Sequence, residues 1–361
     1  MRQVPYLRRH GDSAGIQSTP IFPWHAIPFV QSSPSSPEVA DLIQRVGQSL
    51  ARHCAAGAGA VRLDGPLQWR INSALFRAHG PALPVALAVK ACFLPRSSAP
   101  ATDLARQQFD ALARVHAKMG SDARLNVPRP VYCDEAAGVM AVEWLEGATL
   151  TERLGFSPGL LRADRLLRAS GEWLCRFHQA GLVPDTSFDD WHKEGVLVEF
   201  AADPMAAEPV FRAGVAALQA RLAVVAALPH RRSWVHGDYK CDNVFVCPGR
   251  LAGIDITLHL ESSPVVYDAA QFLNHLALLT HAPTRPYLRP LAGWLERAFV
   301  AGYADGGARL DPLALAWVRL FMMLSLWRTE QGQGQRGLRH RVVQSLVRGR
   351  CAALRRALER L

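Results

Sequence analysis

Apolar positions recur at helical spacing over residues 37–54, where Val39, Leu42, Ile43, Val46 and Leu50 share one face. The pattern then changes to short apolar runs. Residues 61–63, 75–77 and 85–93 read as strands, with turns expected at Gly65 and over 79–84. Residues 104–119 return to a helical period carried by Leu104, Phe109, Leu112 and Val115, and 128–131 and 139–145 read as two more strands. Beyond Glu146-Gly147 helices dominate, over 160–180, 211–228, 267–279 and most of 290–361. The spacing therefore divides the chain into an N-terminal arm and helix (1–55), a small mainly β unit with one helix (56–145) and a larger mainly helical unit (146–361). A length of 361 residues suits two lobes better than one core.

One stretch, 233–256, interrupts the helices and carries candidate chemistry. His236-Gly237-Asp238 leaves a strand into a loop, and Asn243 opens a second strand over 244–246. Pro248-Gly249 turns the chain, and 251–254 runs back to Asp255. A hairpin centred on Gly249 sets position 243 opposite 255, with Cβ atoms roughly 5 Å apart. An amide oxygen and a carboxylate in that relation suit a hydrated Mg²⁺ that also takes phosphate oxygens. Asp238, on the adjoining loop, is free to accept a proton from an incoming hydroxyl. The chain holds its own control, His10-Gly11-Asp12, where Gln17 stands in the place of Asn243 and no strand follows. No role attaches to that copy.

Composition sharpens two positions. Of 41 basic residues only Lys90, Lys118, Lys193 and Lys240 are lysines. Where any cation serves, this chain uses Arg, so Lys90 in the 85–93 strand and Lys240 beside Asp238 point to a need for a compact ammonium. The net charge is +10, and residues 281–361 carry fourteen Arg against five Asp and Glu. Such helices either present a solvated outer face or make peripheral contact with an anionic surface. No interleaved aromatic pattern points to nucleic acid. Seven irregularly spaced cysteines read as free thiols of a reducing, cytoplasmic setting. The first thirty residues show no apolar core of a signal peptide. No apolar run is expected to be long enough to span a membrane. Residues 313–327, broken by Arg319, read as a buried helix. No Walker sequence is present, which excludes P-loop chemistry.

The order His-Gly-Asp, four residues, Asn, then an apolar hairpin ending in Ile-Asp resembles the aminoglycoside phosphotransferase and choline kinase branch of the protein-kinase-like superfamily. The resemblance implies an α+β, two-lobed protein-kinase-like fold, with a small mainly antiparallel β N-lobe and a larger mainly helical C-lobe. It implies transfer of the γ-phosphate of ATP, with Mg²⁺, to a hydroxyl of a small-molecule alcohol. Asp238 would be the catalytic base, Lys240 would contact the γ-phosphate, and Asn243 and Asp255 would hold Mg²⁺. The 85–93 run resembles the strand whose Lys, here Lys90, grips the α- and β-phosphates. Residues 140–150 resemble the hinge, so backbone at Glu143 to Leu145 would meet adenine. Residues 172–182 resemble the long helix before the catalytic loop, with His178 a packing residue. Residues 266–273 resemble the helix whose leading Asp, here Asp268, braces the loop at His236. A plain helix N-terminal charge is the alternative for Asp268.

Two departures stand out. The family's small-lobe Glu that pairs with the strand Lys is replaced by Gln108, with Asp110 two residues on. No Gly-x-Gly-x-x-Gly occurs, Gly57-Ala-Gly59 is too weak a signal, and the loop over the phosphates is assigned to 65–73, with Asn72 and Ser73 as hydrogen-bonding residues. A protein kinase is the first rival reading. Against it, Asp255 is followed by Ile-Thr, no Ala-Pro-Glu follows, and only about a dozen residues separate Asp255 from Asp268. A pseudokinase scaffold is the second, supported by Gln108. The acidic residues Asp185, Asp189, Asp190 and Glu194 are matched by Arg. That balance favours a sugar or glycan intermediate over a polycationic, aminoglycoside-like acceptor.

Overall fold

Five segments near the N-terminal end pair into one antiparallel sheet. The computed structural model describes residues 36–54, 61–94, 99–155, 162–188, 190–257, 262–332 and 337–361. The arm with its His10-Gly11-Asp12, the 57–59 glycines and Asp189 lie outside them. The sheet comprises β1 (Arg62–Trp69), β2 (Ser73–His79), β3 (Leu87–Cys92), β5 (Pro130–Asp134) and β6 (Val139–Glu143), in the order β1-β2-β3-β6-β5. Alternation along β3 decides its two faces. Leu87, Val89 and Ala91 are buried in one cluster with Leu42, Val46 and Leu50 of α1 (Ser36–His53). Lys90 and Cys92 therefore face the other side, where α2 (Thr102–Met119) packs and Cys92 meets Ala101 and Ala105.

The expected turn at Gly65 is instead a bulge within β1. The register against β2 shifts between Asp64 and Gln68, and the strand continues to Trp69. β1 lies at the sheet edge, where Pro66 forfeits no ladder bond. The true β1–β2 connection is residues 70–72. Ser73 consequently belongs to β2, buried opposite Cys92, and only Asn72 of the two expected loop residues lies in the loop.

The larger lobe holds a four-stranded sheet, β4 (Leu125–Asn126), β10 (Arg250–Gly253), β9 (Val244–Cys247) and β7 (Ala148–Thr149), in that spatial order, with β4 parallel to β10. A two-stranded ribbon joins β8 (Arg232–Ser233) to β11 (Ser263–Pro264). Around them lie α3 (Leu150–Gly155), α4 (Ala163–Ala180), α5 (Asp190–Ala202), α6 (Pro209–Ala226), α7 (Val266–His281), α8 (Ala292–Asp305), α9 (Pro312–Gly332) and α10 (Leu338–Glu359). Helix α5 was not legible in the pattern. Its apolar residues Val196, Leu197 and Val198 run consecutively rather than at helical intervals, and Val198 is exposed.

Two cores stabilise this lobe. Under the loop at residues 236–240, parallel rings stack in series. Trp173 and Tyr239 lie 5.2 Å apart, Tyr239 and Phe272 5.2 Å, and Phe272 and Phe299 4.2 Å. Such contacts add about 0.5–1.5 kcal/mol each beyond area burial. The Tyr239 hydroxyl donates to the Ser170 carbonyl at 2.8 Å, so the pile holds no orphaned polar tip. The second core joins Phe211, Trp317, Phe321, Trp327 and Val347. Helix α6 corrects the expectation about membrane-length runs. Its 18 residues have a mean hydropathy of 1.3, long and apolar enough by length and composition to cross a membrane. In this fold Phe211, Val215, Leu218 and Val225 pack it into the second core. Residues 313–327 lie in α9, where Arg319 pairs with Glu296 at 2.8 Å.

Candidate active site

The first residue pair of the loop is fixed from α7. The Asp268 carboxylate, 1% exposed, accepts the His236 N–H at 2.6 Å and the Gly237 N–H at 3.1 Å. It also accepts His178 Nε2 at 3.1 Å, and His178 Nδ1 meets the Tyr303 hydroxyl at 2.9 Å. His178 is thus a polar link in a buried chain, where packing alone was expected. Gly237 sits at φ 80°, a left-handed conformation that a side chain would strain. His236 Nε2 lies 2.9 Å from the Ile254 carbonyl, which makes it the protonated nitrogen and leaves Nδ1 an acceptor facing the Asp238 N–H. Burial pushes the His236 pKa below its ordinary value despite the nearby charges of Asp268, Asp238 and Asp255.

Three side chains converge on Asp238. Lys240 Nζ reaches Oδ2 at 2.7 Å, Asn243 Nδ2 reaches Oδ2 at 3.0 Å, and Gln271 Nε2 reaches Oδ1 at 3.0 Å. Asn243 Nδ2 also donates to the Asp238 carbonyl at 2.8 Å. Its other end, Oδ1, is buried with no hydrogen-bond partner. Buried polar atoms are nearly always paired, so this one is a candidate ligand position. Gln271 and His275 carry no motif, yet positions 268, 271 and 275 share one face of a helix. That spacing from Asp268 is the signal that could have found them. His275 Nε2 lies 3.3 Å from Asp242 Oδ2. Burial would raise the Asp242 carboxyl, but the His275 hydrogen bond and charge, Thr151 and Lys240 bring it down to about 2.

The hairpin register differs from the expected one by one position. Gly253 pairs with Val244 and Arg250 with Cys247, and the Ile254 N–H donates to the Asn243 carbonyl at 3.0 Å. Asn243 is therefore opposite Ile254, not Asp255. The cause is a two-residue turn, with Pro248 ahead of Gly249 at φ 74°, the pattern of a type II turn. Asp255 follows at φ 61°, the one non-glycine residue with positive φ among those described. This backbone reversal re-aims its carboxylate toward the small lobe. Oδ1 takes Lys90 Nζ at 2.6 Å and Oδ2 takes Arg70 Nη1 at 2.6 Å. Burial would raise this carboxyl, yet the Lys90 ammonium and the Arg70 guanidinium hold it well below the usual carboxylate range.

The Lys90 partner is thus Asp255 from the large lobe rather than Gln108 or Asp110 of α2. Arg70 is a site residue that sequence reasoning missed, because a lone Arg in a loop gives no periodic signal. Asn72 and Ser73 make no side-chain bond to these groups, and the Asn72 carbonyl is taken by the Phe93 N–H at 2.9 Å. At the hinge the Glu143 and Trp144 N–H groups are used internally, by the Arg129 and Ala86 carbonyls. The Glu143 side chain pairs with Arg250 at 2.8 Å. That leaves Leu145 as the hinge position whose backbone has no internal partner among the described residues.

A divalent ion fits this donor set. Asn243 Oδ1 is an unsatisfied oxygen and Asp255 a carboxylate one residue past the paired Ile254. Among the described residues no group of three His, Cys, Asp or Glu could hold a metal unaided. An ion here would complete its shell with water and phosphate oxygens, as Mg²⁺ does.

Comparison with known proteins bears on the fold and the family. A choline/ethanolamine kinase family protein from Mesorhizobium loti is similar at TM-score 0.55 and 18% identity, over 88% of this chain and 100% of that one. A putative aminoglycoside phosphotransferase from Ralstonia eutropha is similar at TM-score 0.59 and 14% identity, over 88% and 98%. An amicoumacin kinase in complex with AMP-PNP and Ca²⁺ is similar at TM-score 0.54 and 14% identity, over 87% and 96%. A search of curated proteins by sequence finds no match. These likenesses give the two-lobed kinase-like α+β fold. The model of the phosphotransferase enzyme family matches residues 85–303, from the Lys90 strand into the last turn of α8. More than half of the chain lies within that match, and the protein belongs to the phosphotransferase enzyme family.

Proposed function

We propose that this phosphotransferase moves the γ-phosphate of ATP, with Mg²⁺, to a hydroxyl of a sugar or glycan intermediate. The observation that carries the reading is the Asp238 carboxylate, held by Lys240, Asn243 and Gln271 beside the orphaned Asn243 Oδ1. In this reading Asp238 orients the acceptor hydroxyl and takes its proton as the oxygen–phosphorus bond forms and the bond to ADP breaks. Lys240 balances the charge beside Asp238, and Lys90, 18% exposed on a central strand, binds the nucleotide phosphates. Asn243 and Asp255 would hold the ion, which when bound would supply positive charge against the phosphates. Asp268 and His236 hold the loop in place, and Leu145 offers backbone to the adenine.

Nucleotide use is supported by the AMP-PNP complex of a similar fold. A small-molecule acceptor is supported by the short passage from Asp255 to α7, which leaves little room for the activation segment of a protein kinase. ADP release is to be measured with ATP and Mg²⁺ over sugars, amino alcohols and aminoglycosides, with Asp238→Asn as the blank. Acceptor-dependent ADP release that the blank lacks is the expected result. Turnover equal in the blank, or phosphate delivered only to proteins, would refute the reading.

A further inference from the structure

Resting on that phosphotransfer reading, we infer that Arg70 is the phosphate-gripping residue of the β1–β2 loop. It exchanges the Asp255 carboxylate for the terminal phosphates of the bound nucleotide. Three observations carry this.

The first is the loop itself. It has three residues and no glycine, and part of its backbone is already committed. The Arg70 N–H donates to the Ser73 carbonyl at 2.8 Å, and the Asn72 carbonyl accepts from Phe93. A loop this short and without glycine is poorly built to wrap phosphates with a run of amides, so its grip is expected from a side chain.

The second is the pairing. Arg70 and Lys90 each hold one oxygen of the same carboxylate at 2.6 Å. Two cations share one negative charge at the place where the site would hold an ion. A triphosphate offers more charge and more oxygens in the geometry a guanidinium matches. An ion arriving at Asp255 also needs the lone pairs that Arg70 occupies.

The third is exposure. Lys90 is fixed on a central strand, whereas Arg70 stands at a hairpin tip with its side chain 47% exposed. Of the two cations, Arg70 is the one able to change partner.

The test is calorimetric titration of wild type, Arg70→Ala and Arg70→Lys with AMP-PNP plus Mg²⁺ and, separately, with adenosine, alongside the unliganded melting temperature. Arg70→Ala is expected to weaken AMP-PNP binding about ten- to a hundredfold, the range for a charge-assisted hydrogen bond. Adenosine affinity and unliganded melting should stay near wild type, because the side chain is exposed and no core contact is lost. Arg70→Lys should recover part of the affinity, since it restores charge without the fork. Unchanged AMP-PNP affinity in Arg70→Ala, or an equal loss for adenosine, overturns the assignment. Failure of the wild type to bind either nucleoside probe would instead sink the phosphotransfer reading itself, and Arg70 with it.

Discussion

Replacing Asp268 with Asn tests the framework on which the catalytic loop hangs. The shape is conserved and one negative charge is lost. In the native arrangement Oδ2 serves two donors, the His236 N–H and His178 Nε2, while Oδ1 serves the Gly237 N–H. An amide has a single acceptor oxygen. Its best orientation places that oxygen between His236 and His178 and turns the NH₂ toward the Gly237 N–H, donor against donor. A buried donor left without an acceptor costs about 1–3 kcal/mol. The two surviving bonds lose their charge assistance, roughly half of their strength. The sum is about 3 kcal/mol. At about 2–4 °C per kcal/mol for a large domain, the melting temperature should fall by roughly 6–12 °C. Far-UV circular dichroism on heating measures it, and urea midpoints provide an independent value. ATP hydrolysis by the folded variant should fall as well, because His236-Gly237 aims Asp238. A variant that melts within about one degree of wild type and hydrolyses ATP normally would show that Asp268 is only a helix-terminal charge.

Acid should weaken the fold in a defined order. The folded His236 pKa lies below 6.5, so its contribution is complete above that value and is lost as pH falls and the unfolded chain takes the proton first. The drop in urea midpoint between pH 8 and pH 5 should therefore be smaller in His236→Gln than in wild type. Asp242, at about 2, adds a second loss as pH falls from about 4 toward 2, and His275→Gln should shrink that lower limb. Gly253→Ala would place a methyl well inside van der Waals contact with Trp173 Cζ2, where Trp173 is fully buried and donates to the Asn126 carbonyl. A loss of about 1–3 kcal/mol in urea unfolding is expected, partly recovered by adding Trp173→Phe. Chelation with EDTA should abolish ADP release and Mg²⁺ should restore it, while Asn243→Ala should raise the Mg²⁺ concentration needed for half activity.

Sequence carried the elements and the loop further than it carried their pairing. Strand β3 and its Lys90 were legible because a single Lys in an apolar run stands out in an Arg-rich chain. The order of Asp238, Lys240, Asn243 and Asp255 was legible because their spacing is local. The register was not, since a Pro-Gly pair can centre a hairpin on the glycine or on the bond before it, and half a residue decides which side chain faces Asn243. The Lys90 partner was misjudged for a different reason. Asp255 reaches Lys90 only through a positive φ that no sequence rule assigns to an Asp between two isoleucines. Arg70 lies 185 positions from Asp255, and nothing short of the folded chain brings them together. Gln271 was within reach, since it stands three residues after Asp268 on a recognised helix.

The stacked rings beneath residues 236–240 bear on how the protein should lose activity in the heat. Tyr239 is itself one of the plates, clamped between Trp173 and Phe272. The loop that carries Asp238 cannot loosen without parting that column, so its amides should exchange with deuterium only when the whole large lobe opens. The hairpin tip at residues 70–72 is held by short-range bonds with no ring column beneath it, and should exchange sooner. Warming ought then to impair nucleotide capture first and leave the proton-accepting end in order until the lobe melts.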